Sequence, residues 1–85
     1  MKKLELFTTP ACPHCLALKK TIQDVLPAFA DKYSYKEFSA ASPIGYLKSL
    51  RNNIHSAPTL LIDGKVVASA ALSEKELTLI LNTNL

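Results

Sequence analysis

Glycine and proline are scarce in this sequence: two glycines and five prolines in 85 residues, too few for a linker-like or disordered chain. No apolar stretch approaches the roughly 20 residues that a membrane span needs. Met1-Lys2-Lys3 opens as a secretory signal does, but Glu5, Thr8, Thr9 and Pro10 interrupt the apolar run that should follow. A cytoplasmic chain with no membrane partner is therefore expected. Charge of one sign is not concentrated either. The net charge is +3, and the only adjacent basic pairs are Lys2-Lys3 and Lys19-Lys20. Nucleic-acid binding usually needs a clustered basic face, so no nucleic-acid partner is expected. There are no repeats or low-complexity segments.

What remains is a short, core-forming chain. Hydrophobic residues make up 48% of the 85, and a chain of this length fits one domain, residues 1–85, and no second. Such a domain buries about 60–65% of the surface that its unfolded chain exposes. Only two cysteines are present, Cys12 and Cys15. In a reducing compartment that spacing suggests catalysis or metal binding rather than a structural bridge.

The order of elements can be followed from local signals. Leu4-Glu5-Leu6-Phe7 is a short apolar run that ends at Thr8-Thr9-Pro10, and reads as a first strand. A helix should start at the cysteine pair, with Cys12 near the N-cap and Pro13 at the first helical position, where its missing N–H costs nothing. Cys15, Leu18, Ile22, Val25 or Leu26, Phe29 and Tyr33 then recur at helical spacing, with Pro27 expected to kink or split the helix near Val25. Ser34 to Phe38 reads as a second strand. Ser42-Pro43 opens a second helix, with Ile44, Leu47, Leu50 and Ile54 on one face and Arg51-Asn52-Asn53 near its end. Thr59-Leu60-Leu61-Ile62 and Lys65-Val66-Val67-Ala68 flank Asp63-Gly64, the signal for a tight hairpin with a primed turn. Ser73 followed by Glu76 makes a capping box for a last helix that buries Leu77, Ile80 and Leu81. The order β-α-β-α-β-β-α implies a four-stranded mixed α/β sheet, parallel across the helical crossover and antiparallel in the hairpin, with helices on both faces.

Cys12-Pro13-His14-Cys15 at a helix start suits a dithiol that exchanges disulfides. Such chemistry needs one exposed, partly ionised sulfur and a second within reach to resolve the mixed disulfide. Cys12 would sit where free N–H groups and the helix dipole stabilise a thiolate, and Cys15 would lie one turn later, facing inward. Cys12 is then the nucleophile and Cys15 the resolving thiol, while Pro13 and His14 tune the couple. Half of a zinc site has the same spacing, but a four-ligand site needs a second pair, and the other histidine, His55, stands alone. Metal ligands are not expected.

Leu6-Phe7-Thr8-Thr9-Pro10-Ala11-Cys12-Pro13-His14-Cys15 resembles the strand and active-site loop of small glutaredoxin-like members of the thioredoxin superfamily. Ala57-Pro58-Thr59-Leu60-Leu61, the Asp63-Gly64-Lys65 turn and Ala71-Leu72-Ser73 are similar to the C-terminal half of thioredoxins. The resemblance covers nearly the whole chain and implies a minimal thioredoxin fold. It also implies a cis-proline loop at Pro58 lying against the cysteines, with Ala57, Pro58, Thr59 and Ala70 forming the substrate site. There are departures. Ala11 replaces the usual Trp, and Pro13-His14 replaces Gly-Pro. Leu6 stands where many thioredoxins carry a buried acid, and Glu5 should point to the other face of the strand. Ala68-Ser69 stands where glutathione-using glutaredoxins carry Gly-Gly, and Ala70 replaces a groove glycine.

The expected activity is that of a protein disulfide oxidoreductase, a monomer without cofactors, since no flavin or nicotinamide motif is present. Electrons must then come from a separate reductase of the thioredoxin-reductase type. Two alternatives stay open: a glutathione-dependent glutaredoxin, and a module that binds an iron–sulfur cluster or metal through Cys12.

Overall fold

The computed structural model describes all 85 residues, Met1 to Leu85. The elements run β1 (Lys2–Thr8), α1 (Pro13–Val25), a 3-10 turn (Leu26–Phe29), β2 (Tyr33–Ser39), α2 (Pro43–Arg51), β3 (Thr59–Ile62), β4 (Lys65–Ala68) and α3 (Glu74–Thr83). The four strands form one mixed sheet in the order β2-β1-β3-β4. β1 and β2 are parallel, and β3 is antiparallel to both β1 and β4. This is a minimal thioredoxin fold. No helix is long and apolar enough to cross a membrane.

Local chemistry sets most of the boundaries. Pro27 has no N–H to continue the α-helical ladder, and α1 gives way to the 3-10 turn just before it. Tyr33, in helical register with α1, instead opens β2, where its hydroxyl donates to the Leu81 carbonyl at 2.7 Å. Asp63 and Gly64 both take positive φ, 49° and 84°, as a primed turn requires. The turn is pinned to the start of β1, because the Lys3 N–H donates to Asp63 Oδ1 and the Asp63 N–H donates to the Lys3 carbonyl, both at 2.9 Å. The capping box of α3 is complete: the Ser73 N–H donates to Glu76 Oε1 at 3.0 Å and the Glu76 N–H to Ser73 Oγ at 3.1 Å.

The two faces of the sheet are covered differently. Strand alternation turns Leu4, Leu6, Leu60 and Ile62 toward Leu18, Ile22 and Val25 of α1 and Leu77 and Leu81 of α3, forming one continuous core. The other face carries Phe7, stacked on Phe38 with ring centroids 5.3 Å apart, and α2 lies over it. α2 differs from its apolar pattern. Ile44, Leu47 and Leu50 do share a face, but they are 66%, 65% and 54% exposed, and Ile54 falls beyond the helix. The side that packs inward carries Gly45 and Ser49 instead, with Lys48 Nζ 4.4 Å from the centre of the Phe38 ring. A side chain at Gly45 would overlap the Ser39 backbone carbonyl. The helix thus approaches the end of β2 through its smallest residues, and its larger apolar ones are left on the outside.

Candidate active site

Cys12 is the N-cap of α1, and its Sγ accepts the Cys15 N–H at 3.1 Å. This is the geometry in which an N-cap oxygen usually satisfies an orphan amide; here a sulfur does so. The residue before it, Ala11, takes a positive φ of 55°, which turns the chain sharply out of β1 into the helix. Pro13 occupies the first helical position, and the first turn holds no acidic residue. The positive end of the helix is therefore uncompensated except by what Cys12 itself carries.

The two sulfurs are bonded to each other, with Cα atoms 5.2 Å apart. Cys12 is partly exposed, whereas Cys15 is 4% exposed and turned toward the core. His14 projects into solvent, and its side chain makes no hydrogen bond to Cys12. Pro10, Ala11, Pro13 and Leu16 are exposed around the pair and give it a largely apolar rim.

The Ala57–Pro58 peptide is cis. Pro58 is buried and Ala57 is partly exposed. Thr59 is turned inward, and its hydroxyl closes the loop by donating to the Ser56 carbonyl at 2.6 Å. Ala70 lies exposed in the loop between β4 and α3. That loop is tethered to α1 by the Thr21 hydroxyl, which donates to the Leu72 carbonyl at 2.9 Å. His55, also exposed, borders a groove of about 430 Å³ between α2 and the end of β1. Thr8 and Thr9 line that groove together with Ala57, and they also line a second cleft, of about 240 Å³, beside the disulfide.

This second cleft contains residues that the sequence motifs do not single out. Besides Cys12 and Cys15 it is lined by Leu16, Lys19 and Glu37. Glu37 of β2 stands directly opposite Leu6 of β1 in the parallel register. Lys19 Nζ and Glu37 Oε2 pair at 3.2 Å, and the Tyr35 hydroxyl donates to Glu37 Oε1 at 2.8 Å. Burial first, and then the bond to Glu37, push the Tyr35 pKa well up, so Tyr35 remains a donor. Lys19 follows Cys15 by one helical turn, and that spacing is the signal in the sequence that could have found it. Glu5 lies on the opposite face of the sheet, in a polar cleft with Lys36 and Lys48. No group of three or more His, Cys, Asp or Glu side chains converges in a metal-ligating arrangement.

No protein-family profile matches the chain. Among characterised proteins it is similar to a thioredoxin of Methanocaldococcus jannaschii, 33% identical over 64 residues, which span 75% of this chain and 73% of that protein. With its fold and its bonded Cys-x-x-Cys pair at the start of α1, the chain belongs to the thioredoxin family and is a thiol–disulfide oxidoreductase.

Proposed function

We propose that the protein exchanges its Cys12–Cys15 couple with disulfides of other proteins, reducing them in the cytoplasm as a monomer. The observation that carries this reading is the Cys15 N–H directed at Cys12 Sγ at 3.1 Å. In the reduced protein the same amide and the helix start favour the Cys12 thiolate over the thiol. That thiolate attacks one sulfur of the substrate disulfide, forming a mixed disulfide and releasing the other sulfur as a thiolate, which takes up a proton. Cys15 then loses its proton and attacks Cys12 Sγ. The Cys12–Cys15 bond forms and the substrate leaves with both sulfurs reduced.

The apolar rim of Pro10, Ala11, Pro13 and Leu16 suits a protein segment better than a small charged thiol. The backbone of Ala57, beside the cis Pro58, is the edge along which an extended substrate would lie, with Thr59 bracing the loop and Ala70 bordering the far side. A separate reductase of the thioredoxin-reductase type would restore the dithiol.

The test uses two variants and an insulin-type disulfide substrate. Cys12→Ser should abolish turnover, and Cys15→Ser should accumulate as a mixed disulfide through Cys12. A Cys15→Ser protein with full dithiol activity would overturn the assignment of roles.

A further inference from the structure

Resolution sets the harder ionisation problem in this site. Cys15 is a buried hydrophobic-core position of the first turn of α1, only 4% exposed. Burial in apolar surroundings opposes formation of a thiolate. The amide at the helix start is spent on Cys12 Sγ, and Leu6 offers neither a charge nor a proton acceptor. Yet the resolving step requires Cys15 as the thiolate.

The charges around Cys15 are few. On α1 they are exposed His14 and Lys19, and on β2 they are Glu37 with the phenol of Tyr35. The end of β1 contributes Leu6, Thr8 and Thr9. The Pro58 loop contributes Ala57, Pro58 and Thr59, with His55 on the separate groove. α3 turns Leu77 and Leu81 inward. Of the charged side chains, only those of Lys19 and Glu37 share the 240 Å³ cleft with both cysteines.

Lys19 is well placed to act on Cys15. Side chains on a helix lean over the turn that precedes them, so the Lys19 stem runs back over the turn holding Cys15. Its ammonium is held by Glu37, itself fixed by Tyr35. With side-chain exposures of 42% and 33%, the pair is worth little as a stabilising contact, on the order of 0–1 kcal/mol. It is nonetheless the only ion pair in the chain, and it stands beside the redox couple.

We propose that the Lys19–Glu37 pair sets the ionisation of the resolving thiol, Lys19 favouring the Cys15 thiolate and Glu37 both positioning the ammonium and tempering its charge. The proposal rests on the reading of Cys15 as the resolving thiol. In the step itself the Cys15 proton passes to water in the cleft, and the thiolate attacks Cys12 Sγ. The Cys12–Cys15 bond forms, the bond from Cys12 to the substrate sulfur breaks, and that sulfur leaves as a thiolate and is protonated. The substrate disulfide is the oxidant throughout.

The test loads reduced protein at Cys12 with thionitrobenzoate and follows release of this coloured thiolate by rapid mixing across pH. Lys19→Met should move the pH profile of release upward by about one unit, a roughly tenfold slower release at pH 7. Lys19→Arg, which keeps the charge, should stay within about twofold of the parent. Glu37→Gln keeps an acceptor for Lys19 but removes the opposing charge, so its profile should move downward. Opposite shifts from the two neutralising variants are a signature that a merely structural pair would not give. An unchanged profile in Lys19→Met, or slower release in both neutralising variants with no shift in pH, would overturn the proposal. If the parent itself releases no thionitrobenzoate, the resolving role of Cys15 fails instead.

Discussion

Gly45→Ala sets two opposing effects against each other. By intrinsic helix propensity alanine is better than glycine by about 1 kcal/mol, so at an exposed position the change would stabilise α2. Here the added Cβ meets the Ser39 carbonyl and comes within 2.8 Å of Ser42 Oγ. Neither group can simply rotate away. The carbonyl is backbone at the end of β2 and accepts from both the Ser42 N–H and the Ser42 hydroxyl. Ser42 is the N-cap whose Oγ accepts the Gly45 N–H at 3.0 Å. The helix must therefore move off the strand. Overpacking of this kind costs about 1–3 kcal/mol, and a disturbed N-cap costs about 1 kcal/mol more. With the propensity gain subtracted, a net loss of about 1–3 kcal/mol remains, which in a domain of this size lowers the melting temperature by roughly 5–20 °C. The assay is thermal unfolding followed by circular dichroism, together with KM for a protein disulfide, since α2 feeds directly into the Ala57–Pro58 loop. A variant that melts at or above the parent temperature would refute the seating of α2 through Gly45.

Two further outcomes are expected. His14→Pro removes the imidazole from the turn between the two cysteines, so the thiolate fraction at neutral pH should fall and the disulfide should become harder to reduce. Redox titration would read this as a more negative potential, about 30 mV for each 1.4 kcal/mol, and equal potentials would leave His14 with no tuning role. The Glu76 carboxyl is held below its ordinary value of 4.5, first by the Ser73 N–H and then by the Ser73 side chain. A depressed folded-state pKa means that this contribution is complete above the unfolded value and is lost as pH falls through the folded one. Urea midpoints below about pH 4.5 should therefore decline less steeply in Glu76→Gln than in the parent, and parallel declines would contradict the sign.

Much of the fold is legible in the sequence because its signals are short-range. Asp63-Gly64 needs only its own two φ angles, Ser73 and Glu76 need only one helical turn, and Pro27 ends α1 by a local loss of its N–H. The Cys12 N-cap and Pro13 are legible for the same reason. α2 is not, because the rule that apolar residues face inward gives way to a close approach that only Gly45 and Ser49 permit. Ile44, Leu47 and Leu50 are left outside by that geometry, which depends on where the Ser39 carbonyl lies. The Lys19–Glu37 pair is hidden for a related reason. Glu37 reaches the cleft only because β2 pairs with β1 in the register that sets it against Leu6, a long-range fact absent from either segment alone.

Cys12 and Cys15 should interconvert as one two-electron couple within a single chain. The most direct measurement is equilibration of the protein in glutathione buffers of graded potential, followed by acid quench, alkylation of free thiols and intact mass. A single transition between a doubly alkylated chain and an unalkylated one is expected, with a two-electron slope of about 30 mV per tenfold change in the equilibrium ratio. A chain that passes through stable singly alkylated or glutathione-bearing species, or whose two cysteines oxidise independently, would contradict it.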